Sequence, residues 1–279
     1  MSTIQIVIWL ILAAALLFYI WAIHPDRSLR EEALRFTKWD FAHRGLWNKA
    51  IGRPENSLPA FEKAAENGYA IELDVHLTAD GQIIVFHDDT TRRMCGASYL
   101  IEQTAWPVLS ELRLDQTDEP IPLLSEVLRV VNGRVPLLIE LKLPGRNLAL
   151  CPALMNLLAD YQGEWIIESF NPFGLAWFRK NQPDVVRGQL STRFPKKLRM
   201  MPLLKWFSTI LVVNIISRPH FVAYALRHAD SIGFRLARKL YLVPAFMWTV
   251  RTEEQYKTCR QQYDAAIFEQ IRPKTLNQT

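Results

Sequence analysis

Eight short apolar runs, rich in β-branched and aromatic residues, recur along this chain with helix-like stretches between them. That alternation limits the fold more than any other feature. The runs cover residues 39–42, 70–75, 135–141, 165–170, 185–190, 221–225, 243–250 and 265–268. Strand and helix alternating through one domain predict parallel strands covered by helices, because a parallel connection needs a crossover long enough to hold a helix. Eight such units close into a TIM (β/α)8 barrel, and 279 residues with 49% hydrophobic content suffice for one barrel and a short appendage. The helix predicted over residues 58–67 is followed by Gly68, the residue favoured where a helix ends in a left-handed turn. An extra element over residues 82–86, preceded by the turn pair Asp80-Gly81, interrupts the alternation after the second strand.

Ahead of the barrel lies an uncharged run, residues 4–23, long enough at 1.5 Å per residue to cross a hydrocarbon core as a helix. A buried helix apolar on every face is rarely needed by a barrel. A cleaved signal peptide fits less well, because no basic region precedes the run and no small-x-small site follows it. Arg27, Arg30, Arg35 and Lys38 follow the run and no Lys or Arg precedes it, so the positive-inside rule places the following domain in the cytoplasm, on a single-pass anchor. The layout expected is a transmembrane helix at 4–23, a connector at 24–37 and the barrel at 38–275.

A formal charge of +5 suits an anionic partner: nucleic acid, a phosphorylated substrate or a bilayer surface. Nucleic acid is set aside, because the basic residues do not interleave with a recognisable binding motif. Segment 193–217 places Arg193, Lys196, Lys197, Arg199 and Lys205 among Met, Leu, Trp and Phe. It reads equally as an interfacial helix and as a barrel helix with a solvated basic face. Cys95, Cys151 and Cys259 are widely separated and form no CxxC pair, which argues against a disulfide framework and a zinc site.

The chemistry-bearing pattern lies on two of the predicted strands. Ile71-Glu72-Leu73-Asp74-Val75 sets two carboxylates at i and i+2, so both face the barrel interior if the aliphatic residues face the helices. Leu138-Ile139-Glu140-Leu141-Lys142 repeats the spacing with an acid and a base. Each pair alone reads equally as a structural ion pair, but together they make a site, since charge inside a barrel is expensive without a purpose. Hard oxygen donors this close suit Mg²⁺ or Ca²⁺. His43 and His87 each follow an apolar run, in Phe41-Ala42-His43-Arg44-Gly45 and Ile84-Val85-Phe86-His87-Asp88. Two histidines beside an acidic cluster fit phosphodiester cleavage, which needs a base for the nucleophile and an acid for the leaving alkoxide.

The ordered set of these fragments resembles the glycerophosphodiester phosphodiesterase family over nearly all of the chain after the apolar run. It comprises His43-Arg44-Gly45, Pro54-Glu55-Asn56-Ser57 with Ala60-Phe61, Glu72-Leu73-Asp74-Val75 with Thr78 and Asp80-Gly81, and His87-Asp88 with Arg93. It continues through Ile121-Pro122 with Leu124, Glu140-Leu141-Lys142, Ser169-Phe170-Asn171 and Trp248-Thr249-Val250. The resemblance implies a TIM barrel with a divalent metal, Mg²⁺ or Ca²⁺, held by Glu72, Asp74 and Glu140. It makes His43 and His87 the acid/base pair, Arg44 and Lys142 the phosphate contacts, Phe170 and Trp248 the glycerol side of the pocket, and Glu55 and Asn56 supports of the first loop. The chain departs from the family pattern at Thr91, at Arg251-Thr252 and at Phe268-Glu269-Gln270-Ile271-Arg272-Pro273, where a Thr-Asp-x-Pro closing segment is usual.

The function expected is metal-dependent hydrolysis of glycerophosphodiesters to glycerol 3-phosphate and an alcohol, extending to lysophospholipids in a lysophospholipase D reading. Two alternatives are a phospholipase C-like lyase on the same barrel and a non-catalytic, membrane-tethered binding protein. No obligate protein partner is inferred.

Overall fold

The computed structural model describes residues 2–145, 147–195 and 201–274. Nine strands form one sheet: β1 (Phe41–His43), β2 (Ala70–Leu77), β3 (Ile83–Val85), β4 (Leu137–Leu141), β5 (Trp165–Ser169), β6 (Arg187–Ser191), β7 (Phe221–Ala225), β8 (Ala245–Val250) and β9 (Ala265–Phe268). The order β1-β9-β8-β7-β6-β5-β4-β2 closes on itself through β1–β2, and every pairing within this ring is parallel. The eight ring strands overlap the eight predicted runs, and the predicted extra element is β3, which pairs antiparallel with β2 outside the ring.

Helices α1 (Thr3–Ala22) and α2 (Arg30–Phe36) precede the ring, and α3 (Leu58–Glu66) joins β1 to β2. After β3 come the short α4 (Arg92–Cys95) and α5 (Trp106–Leu109), then the crossover helix α6 (Leu124–Val131). The outer layer continues with α7 (Leu150–Leu158), α8 (Pro172–Asn181), α9 (Pro202–Thr209), α10 (Asn214–Ser217), α11 (Ile232–Tyr241) and α12 (Glu253–Gln262). Gly68 does follow α3 with φ of +70°, as its position predicted. The excursion around β3 carries a small core of its own, from Ile84 and Phe86 to Leu114 and Ile121.

Strand parity sorts the ring into two chemistries. Residues 71, 73 and 75 of β2 and 137, 139 and 141 of β4 point outward and are buried against the helices. The other parity points inward and is stacked in layers. Its lower layer is apolar, with Phe41, Ala70, Leu138 and Ile166, and Ala33 and Phe36 of α2 close it from below. One layer higher, at the carboxyl ends of the strands, the same positions become His43, Glu72, Glu140 and Glu168. Each large apolar side chain in that floor contributes about 1.5–3 kcal/mol by burial, so the interior is anchored below and free to be polar above.

The turn after β1 is the tightest part of the upper rim. Arg44, Gly45 and Asn56 all have positive φ, and a Cβ on Gly45 would sit 2.9 Å from the carbonyl carbon of Ala60 in α3. Gly45→Ala is therefore expected to destabilise the protein by about 1–3 kcal/mol, read as a lowered Tm. A Tm equal to the parent's would show that this turn has room to relax.

Candidate active site

Parallel pairing brings the predicted ligands side by side. β1 and β2 are in register at His43 and Glu72, β2 and β4 at Asp74 and Glu140, and β4 and β5 at Glu140 and Glu168. Glu72, Asp74 and Glu140 each offer one oxygen, and the three oxygens lie within 4.8 Å of one another. All three residues are buried. Glu72 and Glu140 border a cavity of about 300 Å³ whose wall also carries His43, His87, Glu168, Phe170 and Trp248. Larger hollows exist, one of them sharing Trp248, Thr249 and Arg251 with this cavity, but of the three only this one is lined by Glu72, Glu140 and both histidines.

Two cations hold the acids in place. Lys142 Nζ lies 2.6 Å from Glu140 Oε1 and 2.9 Å from Asp74 Oδ1. Arg44 Nε is 3.4 Å from Asp74 Oδ2, while its Nη1 donates to Glu55 Oε1 at 2.8 Å and its backbone N–H donates to Glu72 Oε2 at 3.0 Å. Asn56 Nδ2 completes the set with a 2.8 Å bond to Asp74 Oδ2. Burial would raise the Asp74 carboxyl, but Lys142, His87 and Arg44 outweigh it and hold that group well below the usual carboxylate range. Glu72 goes the other way: burial drives it well above its usual value, and Asp74, Glu168 and Glu140 push in the same direction. Burial also raises Glu140, against the pull of Lys142.

This imbalance is what a divalent cation relieves. Four buried acids face two basic side chains, and Glu168 Oε2 is buried with no hydrogen-bond partner. The donors are all hard oxygens, so the acidic triad fits a hard divalent ion.

Each histidine is oriented through Nδ1 by a carboxylate. His43 Nδ1 lies 2.7 Å from Glu269 Oε2, and Glu269 Oε1 accepts from Arg251 Nε at 2.6 Å. Burial and then the Arg44 charge keep His43 below the ordinary imidazole value, so it is neutral at pH 7. Glu269 is brought down to about 2, His43 and Arg251 overcoming the effect of burial. A neutral imidazole donating Nδ1–H to an ionised Glu269 satisfies both directions and leaves the Nε2 lone pair available, 3.9 Å from Glu72 Oε2. On the opposite wall His87 Nδ1 lies 2.6 Å from Asp88 Oδ1, and Arg93 bridges Asp88 to Glu55.

Residues 43–271 match the model of the Glycerophosphoryl diester phosphodiesterase family. The chain belongs to that family. Among curated members, the Glycerophosphodiester phosphodiesterase of Bacillus altitudinis is 32% identical over 157 residues, 52% of this chain and 63% of that protein. Lysophospholipase D GDPD1 of Homo sapiens is 28% identical over 268 residues, 84% of this chain and 83% of that protein. The chain spans 62% to 66% of the length of the four bacterial relatives at 32% to 33% identity, less than two thirds. The structure of an Oleispira antarctica phosphodiesterase in complex with the product sn-glycerol-3-phosphate shares the fold, with a TM-score of 0.66 at 23% identity over 82% of this chain and 92% of that one. A glycerophosphodiester phosphodiesterase from Thermotoga maritima superposes with a TM-score of 0.61 at 25% identity, over the same shares of the two chains.

The structure brings the eleven residues given site roles in the sequence to this one end of the barrel. His43, Arg44, Glu72, His87, Glu140, Phe170 and Trp248 border the cavity, while Asp74, Lys142, Glu55 and Asn56 stand directly behind them. Phe170 and Trp248 meet edge to face at 5.7 Å. Arg44 and Lys142 are engaged with carboxylates: the Glu140–Lys142 ion pair weighed in the sequence is present, while the pairing of Arg44 with Glu55 and Asp74 was not signalled there. Sequence reasoning missed Glu168 and Glu269. Glu168 stands two residues before Phe170 with inward parity, which is the signal that could have found it. Glu269 lies in the closing segment that departs from the family pattern.

A divalent cation is expected to raise the Tm of this protein, by the equivalent of about 2.7 kcal/mol at a hundred times its Kd. Asp74→Asn should abolish that rise. A cation-induced shift of equal size in the Asp74→Asn variant would place the ion elsewhere.

Proposed function

We propose that this chain hydrolyses glycerophosphodiesters to glycerol 3-phosphate and an alcohol, using a divalent cation, and that its substrates extend to lysophospholipids. The observation that carries this reading is the pair of carboxylate-oriented histidines flanking a buried oxygen triad. Glu72, Asp74 and Glu140 would hold Mg²⁺ or Ca²⁺, which when bound supplies Lewis-acid polarisation of a phosphoryl oxygen. Neutral His43 accepts a proton at Nε2 from the nucleophile, either water, which gives the glycerol phosphate directly, or the glycerol 2-hydroxyl, whose cyclic phosphate water then opens. His87, with Asp88 beside its Nδ1 to support the imidazolium, gives a proton to the departing alkoxide. Arg44 and Lys142 bring positive charge to the non-bridging oxygens as charge develops on them. Phe170 and Trp248 present an apolar wall to the carbon face of the glycerol unit, and Glu55 and Asn56 fix the loop that carries Arg44.

Among the described residues one helix, α1, is long and apolar enough to cross a membrane. We read it as a single-pass anchor, with Arg27, Arg30, Arg35 and Lys38 placing the barrel on the cytoplasmic side. The lysophospholipid part of the proposal is supported by the anchor and by the alignment with a lysophospholipase D over 84% of this chain.

The test is release of glycerol 3-phosphate from glycerophosphocholine and glycerophosphoethanolamine, and of acylglycerol 3-phosphate from a lysophospholipid, with Mg²⁺, Ca²⁺ or EDTA. Turnover should vanish in EDTA and fall by about 10²–10⁴-fold in His43→Ala, the contribution of a positioned base. Accumulation of a cyclic phosphate as the end product would instead favour the lyase reading, and no turnover by folded protein would favour a binding protein. Glu269→Ala should lower kcat by about 10–100-fold, part of what a positioned base contributes. The negative charge of Glu269 raises the His43 pKa, so its removal lowers it and moves the acidic limb of the pH–rate profile to lower pH. An unmoved limb would mean that Glu269 does not act through His43.

A further inference from the structure

The attachment of α1 to the barrel fixes which face of the enzyme meets the membrane. Asp26, just beyond α1, pairs with Arg187 at the first residue of β6, at the amino-terminal edge of the barrel, with 2.7 Å between Oδ2 and Nη2. From there the chain climbs backwards along the flank. Ile23 O accepts from Asn214 at 3.4 Å, Trp21 O accepts from Arg218 at 2.8 Å, and Ile20 O accepts from Tyr241 at 2.8 Å. The Tyr19 hydroxyl then donates to Ile210 O at 3.0 Å. Ile210 follows α9, whose last residues are tied to the carboxyl ends of two strands. Ser191 donates to Ser208 O at 2.7 Å and Tyr224 donates to Thr209 O at 2.8 Å. The Tyr19 hydroxyl therefore reaches the level of the rim that carries the site. Residues 3–18 are all exposed and extend about 24 Å beyond Tyr19 at 1.5 Å per residue.

The same sector of the rim is apolar. In a parallel barrel the amino-terminal end of each outer helix lies at the carboxyl end of the preceding strand, on the face that holds the site. After β6 that position exposes Met201, Leu203, Leu204 and Trp206, at 72%, 57%, 44% and 55%, and after β7 it exposes Ile232 at 63%. Met201 just before α9 and Leu203, Leu204 and Trp206 on its first turns present an apolar surface of the kind soluble proteins avoid, and Ile232 is exposed at the start of the next long outer helix. Phe194, in the segment that leads from β6 towards α9, packs on Phe170 of the cavity wall at 5.8 Å between centroids.

We propose that the catalytic rim faces the bilayer entered by α1, with Met201, Leu203, Leu204, Trp206 and Ile232 seated at the lipid interface, so that the pocket takes single-chain phosphodiesters directly from the leaflet. This rests on reading α1 as a membrane span and, for the substrate, on the proposed activity. Two independent features agree on the direction: the anchor leaves the barrel on the rim side, and the exposed apolar residues lie on the same side and sector. Trp and aliphatic side chains at the edge of an anchored domain gain most where headgroups give way to acyl chains.

The test uses the full chain in nanodiscs of phosphatidylcholine and phosphatidylglycerol, in a Cys95→Ser background. Single nitroxide labels go on Leu12→Cys, Leu204→Cys and Asn181→Cys, the last at the end of α8 on the opposite edge. Collisions with oxygen and with a water-soluble nickel complex report where each label sits. The proposal predicts an oxygen-to-nickel ratio severalfold higher at 204 than at 181, with 12 higher still. A label at 204 as aqueous as the one at 181, while 12 is in hydrocarbon, overturns it. An aqueous label at 12 overturns it together with the anchor reading. Spin–spin broadening at 204 that persists in detergent would assign the patch to a second copy and overturns it too. In parallel, Leu204→Glu should reduce turnover of lysophosphatidylcholine embedded in the nanodisc about ten-fold while leaving that of soluble glycerophosphocholine unchanged, because interfacial binding scales with the apolar area inserted. Equal effects on both substrates count against the proposal. Failure of the unsubstituted chain to turn over either substrate would sink the catalytic reading and leave the collision ratios to decide the seating.

Discussion

Four carboxylates inside one barrel, faced by only two basic side chains, form the constraint around which the rest of the molecule is organised. Burying like charges this close is strongly unfavourable unless each has a defined partner. Lys142 and Arg44 supply those partners for Asp74 and Glu140, and the backbone N–H of Arg44 supplies one for Glu72. The floor of aromatic and aliphatic side chains below them keeps the barrel closed, so the charged layer does not have to hold the fold together. What remains unbalanced, in Glu72 and Glu168, is the part of the field that a divalent ion neutralises.

The two histidines gain their roles from the same arrangement. Neither is isolated: each gives Nδ1 to a carboxylate, and each carboxylate is held in turn by an arginine. The consequence is chemical asymmetry with respect to the cavity, because Nδ1 is committed and Nε2 is the atom left for substrate. Burial and Arg44 keep His43 neutral, which suits the base.

Much of this was legible in the sequence, for identifiable reasons. Parity is local, so Glu72 with Asp74 and Glu140 with Lys142 declare their common face without any structure. The eight apolar runs declare the strands, although β1 begins at Phe41 and β4 at Leu137, two residues inside the runs that predicted them. The missed residues depend on closure of the ring. Glu168 becomes part of the site because β5 registers it beside Glu140, and Glu269 reaches His43 only because the last strand pairs with the first. A lone acid in a strand gives no sign of such a neighbour. Segment 193–217 is ambiguous for another reason: its apolar and basic residues fit either of two environments, and the structure adds that the apolar start of α9 is exposed. Lys196, Lys197 and Arg199 lie outside the described residues.

The contacts between α1 and the barrel also set an order of events during synthesis. Tyr19 and its partner Ile210 are separated by 191 positions, and Ile20 and Tyr241 by 221. At about 5–20 residues per second, the first helix leaves the ribosome roughly 10–40 s before the surface it docks on exists. The ring itself cannot close until β9, near the end of the chain, reaches β1. The apolar helix must therefore find another environment first, and the barrel matures tethered to whatever has received it. Docking of Tyr19 and Tyr241 then converts a flexible leash into a fixed mount, so the barrel's orientation is a late product of its own folding.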